Sequence, residues 1–227
     1  MDMNTLRGRA RGISLGLFAA DHGEFRKNIA ESAGWGCKIL HFDVMDGVFT
    51  PQMTGGPGFV KALGEGMLRD VHLMIENPAR HVASYIAAGA DIITVHAESN
   101  GAADAIAAIR KEAGEAGRPV LAGLGLMPGT TLEEAGGLLD LNPDMILVLS
   151  LDPRIKAAPD ITKACARLSA LRERLGPSGP VLAFDGGVSL DTIDEIAACK
   201  PDMIVSGSAV LGAENPQSAF KIMAKAC

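Results

Sequence analysis

The chain has 227 residues, 48% of them hydrophobic, 21% charged and only 4% aromatic, with a formal net charge of -6. This length suits one α/β domain over residues 1–227, and the apolar content excludes a disordered chain. The acidic balance argues against a nucleic-acid partner. No apolar run nears the roughly 20 residues that span a bilayer, and the N-terminus lacks a signal-peptide segment, so we expect no membrane and a cytoplasmic location.

Residues 7–11 concentrate arginines and read as a solvated N-terminus. Thereafter short apolar runs alternate with amphipathic stretches, as a parallel sheet with crossover helices requires. Strands are expected near 12–17, 38–43, 70–74, 91–96, 120–125, 145–150, 181–185 and 203–207. Helices are expected over 78–88, 102–113, 131–139, 160–175, 190–198 and 216–226, several opened by Asp, Thr or Asn-Pro start signals. Residues 33–41 echo 88–96, and Pro-Asp-Met-Ile occurs at 143–146 and 201–204. Eight such units indicate a closed (β/α)₈ TIM barrel. An open doubly wound sheet is the alternative, although no Gly-x-Gly-x-x-Gly turn follows the first strand. Cys37, Cys165, Cys199 and Cys227 are far apart, form no C-x-x-C pair and read as thiols.

Polar residues at strand ends carry the chemistry. In an eight-stranded α/β barrel the C-terminal strand ends converge on one mouth. His41 and Asp43 lie two apart and so share a strand face. His72 falls near the end of the third strand, and Asp185 ends the seventh. Together they offer two imidazoles and two carboxylates to one divalent cation, a donor set suited to zinc, iron, manganese or cobalt. Singly, a His or Asp at a strand end is more often an ordinary hydrogen-bonded core or cap residue than a ligand; the combination changes that balance. His96 has the same position but no carboxylate immediately beside it, and reads as structural or as support for a ligand. Asp185-Gly186-Gly187 and Ser206-Gly207-Ser208 follow the last two strands, where backbone N–H groups commonly hold a phosphate. Such Gly pairs are also ordinary turn chemistry.

His41-Phe-Asp-Val-Met-Asp-Gly47, Val71-His-Leu-Met-Ile-Glu-Asn-Pro78, Ala90-Asp-Ile-Ile-Thr-Val-His-Ala-Glu98, Phe184-Asp-Gly-Gly-Val188 and Val205-Ser-Gly-Ser-Ala209 follow one another in an order that resembles the ribulose-phosphate 3-epimerases. The resemblance implies the ribulose-phosphate-binding type of TIM barrel. It implies a single divalent metal ion on His41, Asp43, His72 and Asp185, with the two aspartates as the acid/base pair and Met45 and Met74 lining the site. Inverting a carbon beside a ketone removes a proton from one face and returns one to the other, which two opposed carboxylates can do. A metal would stabilise the enediolate between those steps.

The chain departs from that family at the far end of the substrate. Leu15-Gly-Leu-Phe18 stands where the first strand usually reads Pro-Ser-Ile-Leu, leaving Ser14, two residues earlier, as a substrate-contacting hydroxyl on the same face. Asp152-Pro-Arg-Ile-Lys-Ala-Ala-Pro159 replaces a glycine-rich covering loop, Leu149 replaces a methionine, and Val48 and Gln52 replace a histidine and an asparagine. Arg154 and Lys156 would then pair with a phosphate or carboxylate, or else lie in solvent. The expected function is epimerisation of a ketose phosphate such as ribulose 5-phosphate, by a homo-oligomer for which a dimer is the simplest form. The alternatives are an isomerase or epimerase of a different ketose or sugar acid, and a degenerate barrel that only binds a sugar phosphate.

Overall fold

In the computed structural model, which describes residues 1–62, 66–155 and 157–227, the eight apolar runs form strands. They are β1 (Gly12–Gly16), β2 (Ile39–Met45), β3 (Leu68–Met74), β4 (Ile92–His96), β5 (Leu121–Leu126), β6 (Met145–Leu149), β7 (Val181–Asp185) and β8 (Met203–Ser206). Each pairs in parallel with its neighbour in sequence, and β8 returns to β1, so the sheet is a closed barrel and not the open alternative. The helices are α1 (Met3–Arg9), α2 (Phe25–Trp35), α3 (Pro57–Ala62), α4 (Val82–Ala87), α5 (Ala102–Glu115), α6 (Gly136–Leu139), α7 (Ile161–Leu175), α8 (Ile193–Ala198), α9 (Ser208–Leu211) and α10 (Pro216–Ala226). No helix among the described residues is long and apolar enough to cross a membrane.

Strand alternation divides the core in two. Leu40, Phe42, Val44, Val71, Leu73, Ile93 and Val95 pack outward with buried helix residues such as Ile106, Ile109, Leu168 and Leu171. Ile39, Met45, Leu68, Met74, Ile92, Leu121, Met145, Leu147, Val181, Ala183 and Met203 form the second, inward set. Leu6 and Ala10, both fully buried, belong to that inward set. The N-terminal segment is therefore not the solvated arm its arginines suggest. It is a helix that closes the barrel floor, with Arg7 paired to Asp144 at 2.5 Å and Arg11 paired to Asp202.

The start signals act as local chemistry dictates. Asp160 accepts from the N–H of Lys163 at 2.9 Å to cap α7, and Asn215 accepts from the N–H of Ser218 at 3.0 Å beside Pro216 to cap α10. Three expectations change. The helix expected over 131–139 contracts to α6, with turns ahead of it; that of 78–88 divides into a 3₁₀ turn (Pro78–Arg80) and α4; that of 190–198 begins at Ile193.

Cys165 and Cys199 are not thiols but a disulfide joining α7 to the end of α8. Sequence spacing conceals this pair because their 34-residue separation spans a whole strand, and only helix packing brings them together. Cys37 and Cys227 are free. The denatured, unreduced chain is accordingly expected to titrate two thiols with a colorimetric reagent; four would show the bridge absent. Reduction should lower stability by about 2–4 kcal/mol in chemical denaturation.

Candidate metal centre

The register of β2 on β3 builds the site. His41 stands beside Asp70, Asp43 beside His72 and Met45 beside Met74. Because parallel strands with matched alternation point paired side chains to the same face, all six reach the barrel interior together. Asp185, at the end of β7, approaches the same point from across the barrel.

One nitrogen or oxygen from each of His41, Asp43, His72 and Asp185 lies within 4.8 Å of all the others. Nε2 of His41 is 3.2 Å, and Nδ1 of His72 3.3 Å, from Oδ1 of Asp43; Nδ1 of His72 is 3.7 Å from Oδ2 of Asp185. The imidazoles are fully buried, whereas the carboxylates keep 17% and 20% of their surface exposed, so the open side of the cluster is its carboxylate side. Two carboxylate charges up to 4.8 Å apart repel by about 3–4 kcal/mol at an effective dielectric constant of about 20. Two imidazole nitrogens and two carboxylates on one point fit a divalent cation, which would offset that repulsion.

The surrounding charges make the two aspartates unequal. Burial alone would raise Asp43, but the His41 charge and the hydrogen bonds of His41 and His72 hold it far below the ordinary carboxylate range. Asp185 is raised by burial, with the Asp43 and Asp70 charges adding to it against the pull of His41 and His72. Burial opposes charge on His41, yet Asp70 and Asp43 outweigh it and set its pKa well above the usual histidine value. His96 is pushed down to about 4 by burial, despite its bond to Glu98, with the His72 and Arg154 charges adding. Glu98 is lowered to about 2, the bonds from His96, Thr130 and the Met127 N–H overcoming its burial.

Asp70 was not legible as a site residue, and it proves to stand directly behind a candidate ligand. Its Oδ2 lies 2.7 Å from Nδ1 of His41 and accepts the Ser14 hydroxyl at 2.9 Å. A carboxylate only accepts, so Nδ1 of His41 carries the proton in that bond and Nε2 is left facing the cluster. The signal was present in period-2 alternation, since Leu68, Asp70, His72 and Met74 share one face of β3. Ser14, expected against substrate, is fully buried on Asp70 instead, and Gly16 is the β1 residue that lines the cavity.

That cavity, of about 410 Å³, is bounded by Asp43, Met45, Met74, Leu149, Asp185 and Gly186 near the cluster and by Gly207, Ser208, Leu151 and Ile155 farther out. Gly186 and Gly187 take positive φ angles of 97° and 66°. Among the described residues, the N–H groups of Gly186, Gly187, Gly207 and Ser208 donate to no protein acceptor. A Cβ on Gly16 would stand 3.2 Å from Cα of Gly207, and one on Gly207 would stand 2.9 Å from the Gly16 carbonyl oxygen. The ends of β1 and β8 thus approach too closely for a side chain at Gly16 without movement. Arg154 does not line the cavity. Its guanidinium is spent on Asp152, at 2.7–3.2 Å, and lies 5.8 Å over the Phe49 ring. Lys156 lies outside the described residues.

The sequence matches the family described as the ribulose-phosphate 3 epimerase family over residues 12–211. It is 36% identical over 203 residues to the ribulose-phosphate 3-epimerase of Escherichia coli (strain K12), covering 87% of this chain and 88% of that protein. It is 34% identical over 215 residues to the ribulose-phosphate 3-epimerase of Mycobacterium leprae (strain TN), covering 91% of each. Among solved structures, 3-hexulose-6-phosphate synthase from Salmonella typhimurium superposes with a TM-score of 0.69 at 19% identity over 95% of this chain and 97% of the other. KGPDC from Streptococcus mutans does so with a TM-score of 0.71 at 15% identity, over 96% and 97%. At such identities these two establish a shared barrel fold.

The purified chain is expected to hold one divalent ion per molecule by elemental analysis after dialysis, and His72→Ala to abolish that uptake while leaving the fold intact by circular dichroism. Undiminished uptake by the variant would place the ion elsewhere.

Proposed function

The chain belongs to the ribulose-phosphate 3-epimerase family and is a sugar-phosphate epimerase, and from that premise we propose how its own residues carry the reaction. Its substrate is a ketose phosphate, with ribulose 5-phosphate and xylulose 5-phosphate the first candidates, and the centre inverted is the hydroxyl-bearing carbon beside the ketone. One observation carries this reading: Asp43 and Asp185, from strands two and seven, converge with His41 and His72 in a cavity that continues to unpaired backbone N–H groups.

Asp43 takes the proton from one face of the carbon and Asp185 returns one to the other; the reverse reaction exchanges the roles. Met45 and Met74, 7% and 3% exposed, give that step a polarizable floor without exchangeable protons. The N–H groups of Gly186, Gly187, Gly207 and Ser208 receive the phosphate. Arg154 reaches an anion only by exchanging Asp152 for it. Leu151 and Ile155 make the distal wall more apolar than a glycine-rich loop would, which supports a substrate range of its own. His41, Asp43, His72 and Asp185 would hold zinc, iron, manganese or cobalt, and the ion, when bound, supplies Lewis-acid stabilisation of the negative charge that builds on the ketone oxygen.

The same reading takes residues 1–227 as one domain, acting in the cytoplasm as a homo-oligomer. Val48 and Met53, 72% and 80% exposed beside the mouth, are apolar surface that a second copy would cover.

Proton NMR in deuterated water with a panel of ketoses and ketose phosphates tests the chemistry. We expect deuterium to enter beside the ketone of one phosphate ester, with its epimer appearing. Asp43→Asn and Asp185→Asn should each slow this by about 10²–10⁴-fold. Wild-type rates in both variants would sink the two-carboxylate mechanism, and metal uptake without exchange of any panel member would favour a barrel that only binds sugar phosphates.

A further inference from the structure

Behind His72 there is no carboxylate but a second imidazole. Nε2 of His72 lies 2.7 Å from Nε2 of His96, and both residues are fully buried. Two ring nitrogens at that distance share a single proton, because two lone pairs or two N–H groups facing each other repel. Which ring owns it is decided on the other side of His96, where Nδ1 lies 3.0 Å from Oε2 of Glu98. Oε1 of Glu98 in turn accepts from the N–H of Met127 at 3.0 Å and from the hydroxyl of Thr130. The carboxylate is thus an acceptor at both ends, so Nδ1 of His96 is a donor. A neutral His96 then has only a lone pair left at Nε2, and the shared proton belongs to Nε2 of His72.

The consequence appears at the metal side. With a proton on Nε2, His72 is free to give up the proton that Nδ1 donates to Oδ1 of Asp43 in the metal-free site, and so to present a lone pair to an ion held between Asp43 and Asp185. The opposite arrangement would place an N–H there and block a ligand. The fold holds His96 for this purpose in a fitted slot, since a Cβ on Gly125, its register partner on β5, would stand 3.1 Å from the His96 ring.

We propose that Glu98 and His96 are positioning residues that fix the proton order of a Glu98–His96–His72 chain, so that His72 presents Nδ1 to the metal, an inference that rests on reading His41, Asp43, His72 and Asp185 as a metal site. Asp70 sets His41 in one step; Glu98 sets His72 in two.

Glu98→Gln tests the polarity of the chain without changing its shape. Met127 and Thr130 still demand an acceptor, so the amide oxygen turns to them and the NH₂ turns to Nδ1 of His96. His96 must then accept there and donate from Nε2, which drives the His72 proton onto Nδ1. Zinc, cobalt(II) and manganese(II) are titrated in turn into full-length metal-free protein against a chromophoric chelator. Glu98→Gln is expected to weaken binding by about 10–100-fold while the metal-free variant unfolds at the wild-type temperature. Ring ¹⁵N NMR of the zinc-loaded wild type, which does not depend on any variant folding, is expected to find His96 protonated at Nδ1 and bare at Nε2. Equal affinity in the variant, or a proton on Nε2 of His96, overturns the inference and leaves the metal site standing. Failure of the wild type to take up any of the three ions overturns the metal site itself, and the inference with it.

Discussion

Everything at the mouth of this barrel follows from one constraint: an inward-facing charge in a closed parallel barrel has no water to fall back on, and must be answered by a neighbouring strand. Register decides which neighbour. Sliding β3 by one residue against β2 would turn Asp70 and His72 outward and leave His41 and Asp43 without partners. As the strands stand, every ionisable side chain facing inward from β2, β3 and β4 touches another. Asp43 and Asp185 are the exposed edge of this network, where a cation would complete the charge balance.

The two halves of the cavity are built on different principles. Around the candidate metal centre, rigid strands hold each group from behind, Asp70 through Ser14 and Glu98 through Thr130 and the Met127 N–H. The distal half consists of loop backbone and apolar side chains, with N–H groups left open and Arg154 folded back on Asp152. On the proposed function the chemistry rests on strands and recognition of the far end of the substrate on loops, which can change without disturbing the centre.

Much of this was legible from periodicity. The eight strands, their alternation, and His41, Asp43, His72 and Asp185 at their ends could be read because side-chain period and strand-end position are local properties. Asp70 shares that alternation but was hidden by standing at the first position of the strand expected over 70–74, away from the C-terminal end where site residues were sought; the strand in fact begins at Leu68. Ser14 was read as facing substrate because the strand face was known and the depth along it was not. Arg154 was left between an anion and solvent because its partner Asp152, two residues away, competes for it only in a particular loop conformation.

Local residue order dictates what repeats along the chain: an eight-unit α/β pattern, the inward face of each strand, and the donor types available to a metal. Tertiary structure alone decided which of those donors meet. The Cys165–Cys199 bridge, the helix that closes the barrel floor, the His72–His96 contact and the pairing of Asp70 with His41 all join residues that are neighbours only after the barrel closes. The physical reason is that alternation sets direction within one strand, whereas contact depends on the register between strands and the packing of helices over them, and neither is written in any local stretch of sequence.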